Sequence, residues 1–219
     1  MKGLLIKDFQ VLRTNRQLLI VVLAMFVFFG LTQDGANVFM VSYVTVVSGM
    51  LVMSTISYDE LDHGYSFLFT LPITRSLYVR EKYLFGCILS FSGWLLSSLV
   101  STGLYMARSS VINWSEWGFT LGAFIFIIFI LLSVMLPVQL KFGGEKGRIA
   151  LIGMIAGAFA VGALVITAAK YFNIDFTSLY QMVESMGSLG IVAVMVVVTL
   201  AIVAVSYRIS LNIMNKKQF

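Results

Sequence analysis

Apolar residues along this chain gather into six long runs: Gln17 to Leu31, Asn37 to Ser57, Leu84 to Met106, Gly118 to Leu140, Ile149 to Ala169 and Ser188 to Leu211. Most approach the roughly 20 residues that an α-helix needs to cross about 30 Å of hydrocarbon at 1.5 Å per residue. The first is shorter unless it continues to about residue 33. Backbone groups in lipid must be satisfied internally, and the runs are too long and too continuous for barrel strands, so the pattern predicts six transmembrane helices. Ahead of them, Leu5, Phe9 and Leu12 recur at helical spacing with Lys7, Gln10 and Thr14 on another face, which predicts an amphipathic interfacial helix over residues 1–16. The alternative there is a plain extension of the first span. The run that follows has no small-x-small site at its end and is read as a retained span, not a cleaved signal.

Two polar intervals stand out. In residues 171–187, Ser178 and Gln181 have capping-box spacing, and Phe176, Leu179, Tyr180 and Val183 share a helical face. A short surface helix and an ordered outer loop are equally compatible with that. The longer interval, 58–83, opens with Asp59, Glu60, Asp62 and His63 and closes with Arg75, Arg80 and Lys82. Residues Glu60 to Phe69 predict a short helix that must end near Leu71, because the residue before Pro72 is pushed out of the helical region. Thr74 can then cap a new helix that runs into the third span. A helix, a proline elbow and a re-entering helix with both signs of charge suit docking to a soluble partner, and equally suit an ordinary solvated connection.

Composition agrees with the pattern. The chain is 59% hydrophobic and 11% charged with a mean hydropathy of +0.96, too little polar surface for a soluble globule. The net charge of +5 is distributed asymmetrically: with the N-terminus inside, all Lys and Arg except Arg108 and Lys170 fall on the cytoplasmic side. Both termini are then cytoplasmic, and the basic balance is met by anionic lipid headgroups and not by nucleic acid.

The chemistry is sparse. No run carries an acid or base at its centre, which argues against a proton- or sodium-driven carrier. Gly143-Gly144-Glu145-Lys146-Gly147 lacks the spacing of a phosphate loop, so no ATP site is expected in the chain. Cys87 is the only cysteine and His63 the only histidine, so neither a disulfide nor a metal set is expected, and no catalytic constellation appears. Gly118 with Gly122, and Gly153 with Gly157, have the spacing that lets membrane helices approach, read here as packing within one bundle in preference to a dimer interface. Thr45, Ser48, Ser90, Ser97 and Ser101 are candidate path-lining hydroxyls, although bonding to their own backbones is the favoured reading.

Three segments carry a resemblance. Glu60 to Gly64 with Leu71-Pro72-Ile73-Thr74-Arg75, Tyr78-Val79 and Lys82-Tyr83 resembles the first cytoplasmic loop of small bacterial ABC-2 type permease subunits. Lys141 to Arg148 resembles their second, and Leu4 to Asp8 fits the segment before the first span. The resemblance is to permeases of the phenol-soluble modulin exporter kind. It implies an all-α membrane protein of the ABC-2 (type V exporter) class, with one transmembrane domain over 1–219 and a coupling loop at 58–83. It further implies a half-transporter in the bacterial plasma membrane, paired with a second permease subunit, identical or a sister. The permease would dock on a separate cassette ATPase that holds ATP and magnesium, and would have no cofactor of its own. Asp59, Glu60, Asp62, His63, Gly64, Phe67, Leu71, Pro72 and Arg75 would form the coupling helix and its elbow, with Lys141, Glu145, Lys146 and Arg148 in the second loop. Export of amphipathic or antimicrobial peptides, or self-protection against them, follows from the same likeness; the rival reading is a non-transporting scaffold or sensor gripping a soluble partner through the same loop.

Overall fold

The structure, a computed structural model, describes residues 2–14, 16–32, 37–61, 64–108, 113–171 and 187–217. It contains eight helices among them: α1 Lys2–Thr14, α2 Arg16–Thr32, α3 Asn37–Glu60, α4 Gly64–Leu68, α5 Arg75–Arg108, α6 Trp114–Phe142, α7 Gly144–Tyr171 and α8 Gly187–Lys216. The outer segment containing Ser178, Gln181 and their apolar neighbours lies outside the described residues.

Four helices are long and apolar enough to cross a membrane among the described residues: α3, α5, α6 and the Gly190–Lys216 part of α8. A fifth is obtained if α1 and the Leu19–Gly30 part of α2, which meet at a 65° bend, count as one broken span. This falls short of the six spans expected from the runs. At 17 residues α2 rises only about 25 Å, less than the hydrocarbon thickness. The 28-residue α7 has the length, but part of its side chains lies outside the described set.

The core forms where α3 packs against α5 and α6, and α6 against α8. Small residues set the approach of α3 to both neighbours: a Cβ added to Gly93 of α5 would sit 2.0 Å from Ser48 Oγ of α3, and one added to Gly49 of α3 would sit 2.6 Å from Ile128 Cδ1 of α6. The glycine pairs expected to serve this purpose make no such close approach among the described residues. A Cβ at Gly118, Gly122, Gly153 or Gly157 meets nothing within 4 Å among the described residues. Spacing reveals a small-residue stripe, not the face it lies on.

In α6, Pro137 removes the N–H that would bond the Ser133 carbonyl one turn back. The Ser206 hydroxyl of α8 donates to that freed oxygen, and Tyr83 of α5 is within hydrogen-bond distance of both Ser206 and Ser210, at 2.9 Å from the latter. One proline thus gives α5, α6 and α8 a shared polar junction in an otherwise apolar interior. At the opposite end, Ser101 donates to the Asn37 carbonyl at 2.9 Å and Arg108 to that of Gly30.

Candidate functional site

The end of the bundle where α3, α6 and α8 finish and α5 and α7 begin gathers most of the described charge. Its centre is Lys82, fully buried on the first turns of α5. Its ammonium pairs with Asp8 of α1, with Asp59 at 2.8 Å, and with the Thr55 hydroxyl at 3.2 Å, and it stands 5.2 Å above the Tyr78 ring. Asp59 also accepts from the Tyr78 hydroxyl at 2.9 Å and from Lys7. Lys7 lies 3.3 Å from Asp8 and closes the circuit. Two aspartates and two lysines therefore neutralise one another, with Asp8, Asp59 and Lys82 buried and Lys7 at the solvent edge, the arrangement a buried ion needs. Burial works against the Lys7 ammonium, yet the carboxylates of Asp59 and Asp8 outweigh it and hold its pKa above that of an ordinary lysine. Glu81 is also buried, its nearest ammonium Lys82 at 3.9 Å and neither oxygen hydrogen-bonded among the described residues.

This cluster redefines α1. Its inward face is Leu4, Asp8 and Leu12, while Ile6 and Phe9 of the same helix stay largely exposed. Phe9, one of the three residues of the expected apolar interfacial face, is half-exposed and touches Phe85 edge-on with ring centroids 5.2 Å apart. Asp8 is drawn inward because Lys82 offers it a partner. The sequence signal was an acid four residues from each of two leucines, on one helical face.

Interval 58–83 is mostly helical. Its first residues are the last turn of α3, and α5 starts at Arg75. The helix expected over Glu60 to Phe69 is a single short piece, Gly64–Leu68. Asp62 and His63 lie outside the described residues. Thr74 does cap α5: its hydroxyl accepts the Leu77 N–H at 3.3 Å. Tyr65 and Leu68 turn inward; Tyr65 meets Tyr78 edge-on at 5.8 Å, and burial pushes its phenol pKa up. On the outside, Phe67 is 72% exposed, and Leu61 and Leu71 are also exposed. The elbow is therefore anchored by aromatics beneath and apolar above. Pro72 lies at its exposed tip, and Arg75 reaches back to donate to the Asn215 carbonyl of α8 at 2.6 Å.

Glu60 faces the α6–α7 turn. Its Oε2 accepts the Gly144 N–H at 2.7 Å, placing a carboxylate at the N-terminus of α7 where the helix dipole favours it. Its Oε1 receives Lys217 at 3.3 Å, and Lys217 also donates to the Leu140 carbonyl and covers the Tyr65 ring at 4.9 Å. Gly143 has φ +79°, and a Cβ there would lie 2.3 Å from Glu60 Oε2; a Cβ at Gly147 would lie 2.5 Å from Gln139 Oε1. Gln139 in turn donates to the Ser57 hydroxyl at 3.0 Å. The glycines of this loop are thus a close-packed joint. Lys141 and Lys146 are exposed around it, and the side chains of Glu145 and Arg148 lie outside the described ones.

The candidate path-lining hydroxyls sit on α3 and α5. Thr45 donates to Val41, Ser97 to Trp94 and Ser101 to Asn37, all backbone carbonyls. Ser48 packs on Gly93, and Ser90 is buried without a hydrogen-bond partner among the described residues.

Comparison with curated proteins and with solved structures gave no significant match. The family model of the ABC-2 family transporter proteins matches residues 3–215, nearly the whole chain and including Lys7, Asp8, Asp59 and Lys82 of the charged cluster. A multi-pass bundle without an ATPase site of its own is what that family's membrane subunits are, and the chain belongs to the ABC-2 transporter family.

Proposed function

We propose that the chain is the permease subunit of an ATP-driven exporter, working in a bacterial plasma membrane with both termini cytoplasmic. It has six spans, with α2 and α7 added to the four long apolar helices. A separate cassette ATPase binds ATP and magnesium, and a second permease subunit completes the pathway. Amphipathic peptides are the proposed cargo, on the strength of the sequence resemblance.

The observation that carries this reading is the union of an exposed apolar elbow with a buried ionic clamp. Phe67 and Leu71 project from a segment whose underside is locked through Tyr65 and Tyr78 to Asp59, and through Asp59 to Lys82 and α1. A partner that grips the elbow therefore moves α1, α3 and α5 together instead of bending a loop. ATP-driven closure of the cassettes then rocks the bundle between two states as a rigid body.

The test is co-purification with the cassette ATPase. Phe67→Asp together with Leu71→Asp alters only exposed positions, so the chain remains monodisperse while association with the ATPase is lost. Unchanged association in this variant overturns the elbow as docking site.

A further inference from the structure

A groove runs between α6 and α8 on the side where α7 starts. Its lower part is a cavity of about 600 Å³ whose mouth carries Lys141, Lys216 and Asn212, with Pro137, Phe142 and Ile209 among its walls. Above it a second cavity of about 330 Å³ shares Ile209 and continues along Ile202 and Val205. The first lies within the roughly 300–1,000 Å³ of sites that hold small ligands. From Lys216 to Ala201 the groove follows 15 residues of helix, about 22 Å, more than half of a ~30 Å hydrocarbon layer.

Polarity is arranged along that length. The only charged lining side chains among the described residues are the two lysines, both in the last turns of their helices, and neither has an acidic partner among the described residues. The Lys141 ammonium rests 5.1 Å from the Phe142 ring centroid. This contrasts with Lys7, Lys82 and Lys217 at the same end of the bundle, all paired with carboxylates. Deeper in, Val205 and Ile209 are 58% and 46% exposed, and the two hydroxyls in the lining are already spent, Ser133 on the Phe129 carbonyl and Ser206 on the Ser133 carbonyl. Two cations at the membrane-surface end of an open apolar slot are complementary to one class of molecule.

We propose that this groove binds an anionic glycerophospholipid of the leaflet facing the basic end, its phosphate between Lys141 and Lys216 and an acyl chain along Ile209 and Val205. The inference requires only that the chain spans a membrane. It does not depend on the partner ATPase or the cargo.

The test is native mass spectrometry of the full chain in mild detergent, offered equimolar dioleoyl-phosphatidylglycerol and dioleoyl-phosphatidylcholine. The wild type retains phosphatidylglycerol preferentially, and each of Lys141→Gln and Lys216→Gln lowers the preference by about fivefold, the change that corresponds to about 1 kcal/mol per cation beside an anionic headgroup. Arg80→Gln, an exposed charge at the same end, leaves the preference unchanged. Ile209→Trp lowers retention of both lipids. Glycerol 3-phosphate, a headgroup without chains, does not compete. Equal retention of the two lipids by the wild type, an equal loss in Arg80→Gln, or competition by glycerol 3-phosphate overturns the proposal. So does a disulfide-linked dimer of Ile209→Cys in a Cys87→Ser background, which would make the groove an interface between copies.

Discussion

Lys82 of α5 and Asp8 of α1 form an ion pair in which both side chains have no solvent exposure. A pair in that environment contributes little net stability, because desolvation offsets most of the attraction, but losing one member leaves a charge stranded. Lys82→Met is therefore expected to destabilise the detergent-solubilised chain by about 3–5 kcal/mol. In thermal unfolding, Asp8→Asn and Lys82→Met together should cost less than the sum of the two alone, with a coupling of about 0.5–3 kcal/mol. Additive losses would show that the two side chains do not sense one another.

Gly143 and Glu60 give a second, independent expectation. Gly143→Ala meets both a positive φ and the Glu60 carboxylate at 2.3 Å. A single strained position of this kind costs about 1–3 kcal/mol. Because Glu60→Ala also loses the bonds to Gly144 and Lys217, the comparison is a cycle: adding Gly143→Ala to a Glu60→Ala chain, where the collision is gone and the backbone strain is not, should cost less thermal stability than adding it to wild type; no cost at all in that background would exclude the φ contribution.

Thr74→Ala removes the hydroxyl that accepts the Leu77 N–H at the start of α5. The expected loss is about 0.5–2 kcal/mol, with Thr74→Ser close to wild type. Hydrogen exchange at residues 75–78 should report it locally. Unaltered exchange in the alanine variant would mean that the cap holds nothing.

Pro137 and Ser206 should behave as a linked pair. Ser206→Ala leaves the Ser133 carbonyl unsatisfied and is expected to cost about 0.6–1.7 kcal/mol, the measured scale of interhelical hydrogen bonds in membranes. In a Pro137→Ala background the helix supplies its own N–H, and the same substitution should cost little. Equal costs in the two backgrounds would mean that the proline did not create the need for the serine.

Much of this architecture was legible as periodicity. Apolar runs located the long helices, Pro72 and Thr74 placed the elbow and the start of α5, and the family match spans residues 3–215. The clamp was not legible, because its members lie in three separate segments and each charge looks like ordinary surface on its own. Asp59 and Glu60, read as a docking face, are engaged inside the chain with Lys82 and with Gly144. Lys82, read as a marker of orientation, is fully buried at the hub of the cluster. The glycine pairs on α6 and α7, with no close neighbour among the described residues, show the same limit: spacing reveals a stripe, and only tertiary packing says which way it points.

The central claim is that the ionic clamp carries motion from the elbow to the membrane helices. It is tested most directly by comparing Asp8→Asn with the Phe67→Asp, Leu71→Asp chain, each reconstituted with the cassette ATPase and assayed for hydrolysis with and without amphipathic peptide. The account predicts that Asp8→Asn still assembles with the ATPase and keeps its basal hydrolysis but loses peptide stimulation, whereas the elbow variant fails to assemble. Full peptide stimulation in Asp8→Asn would contradict it.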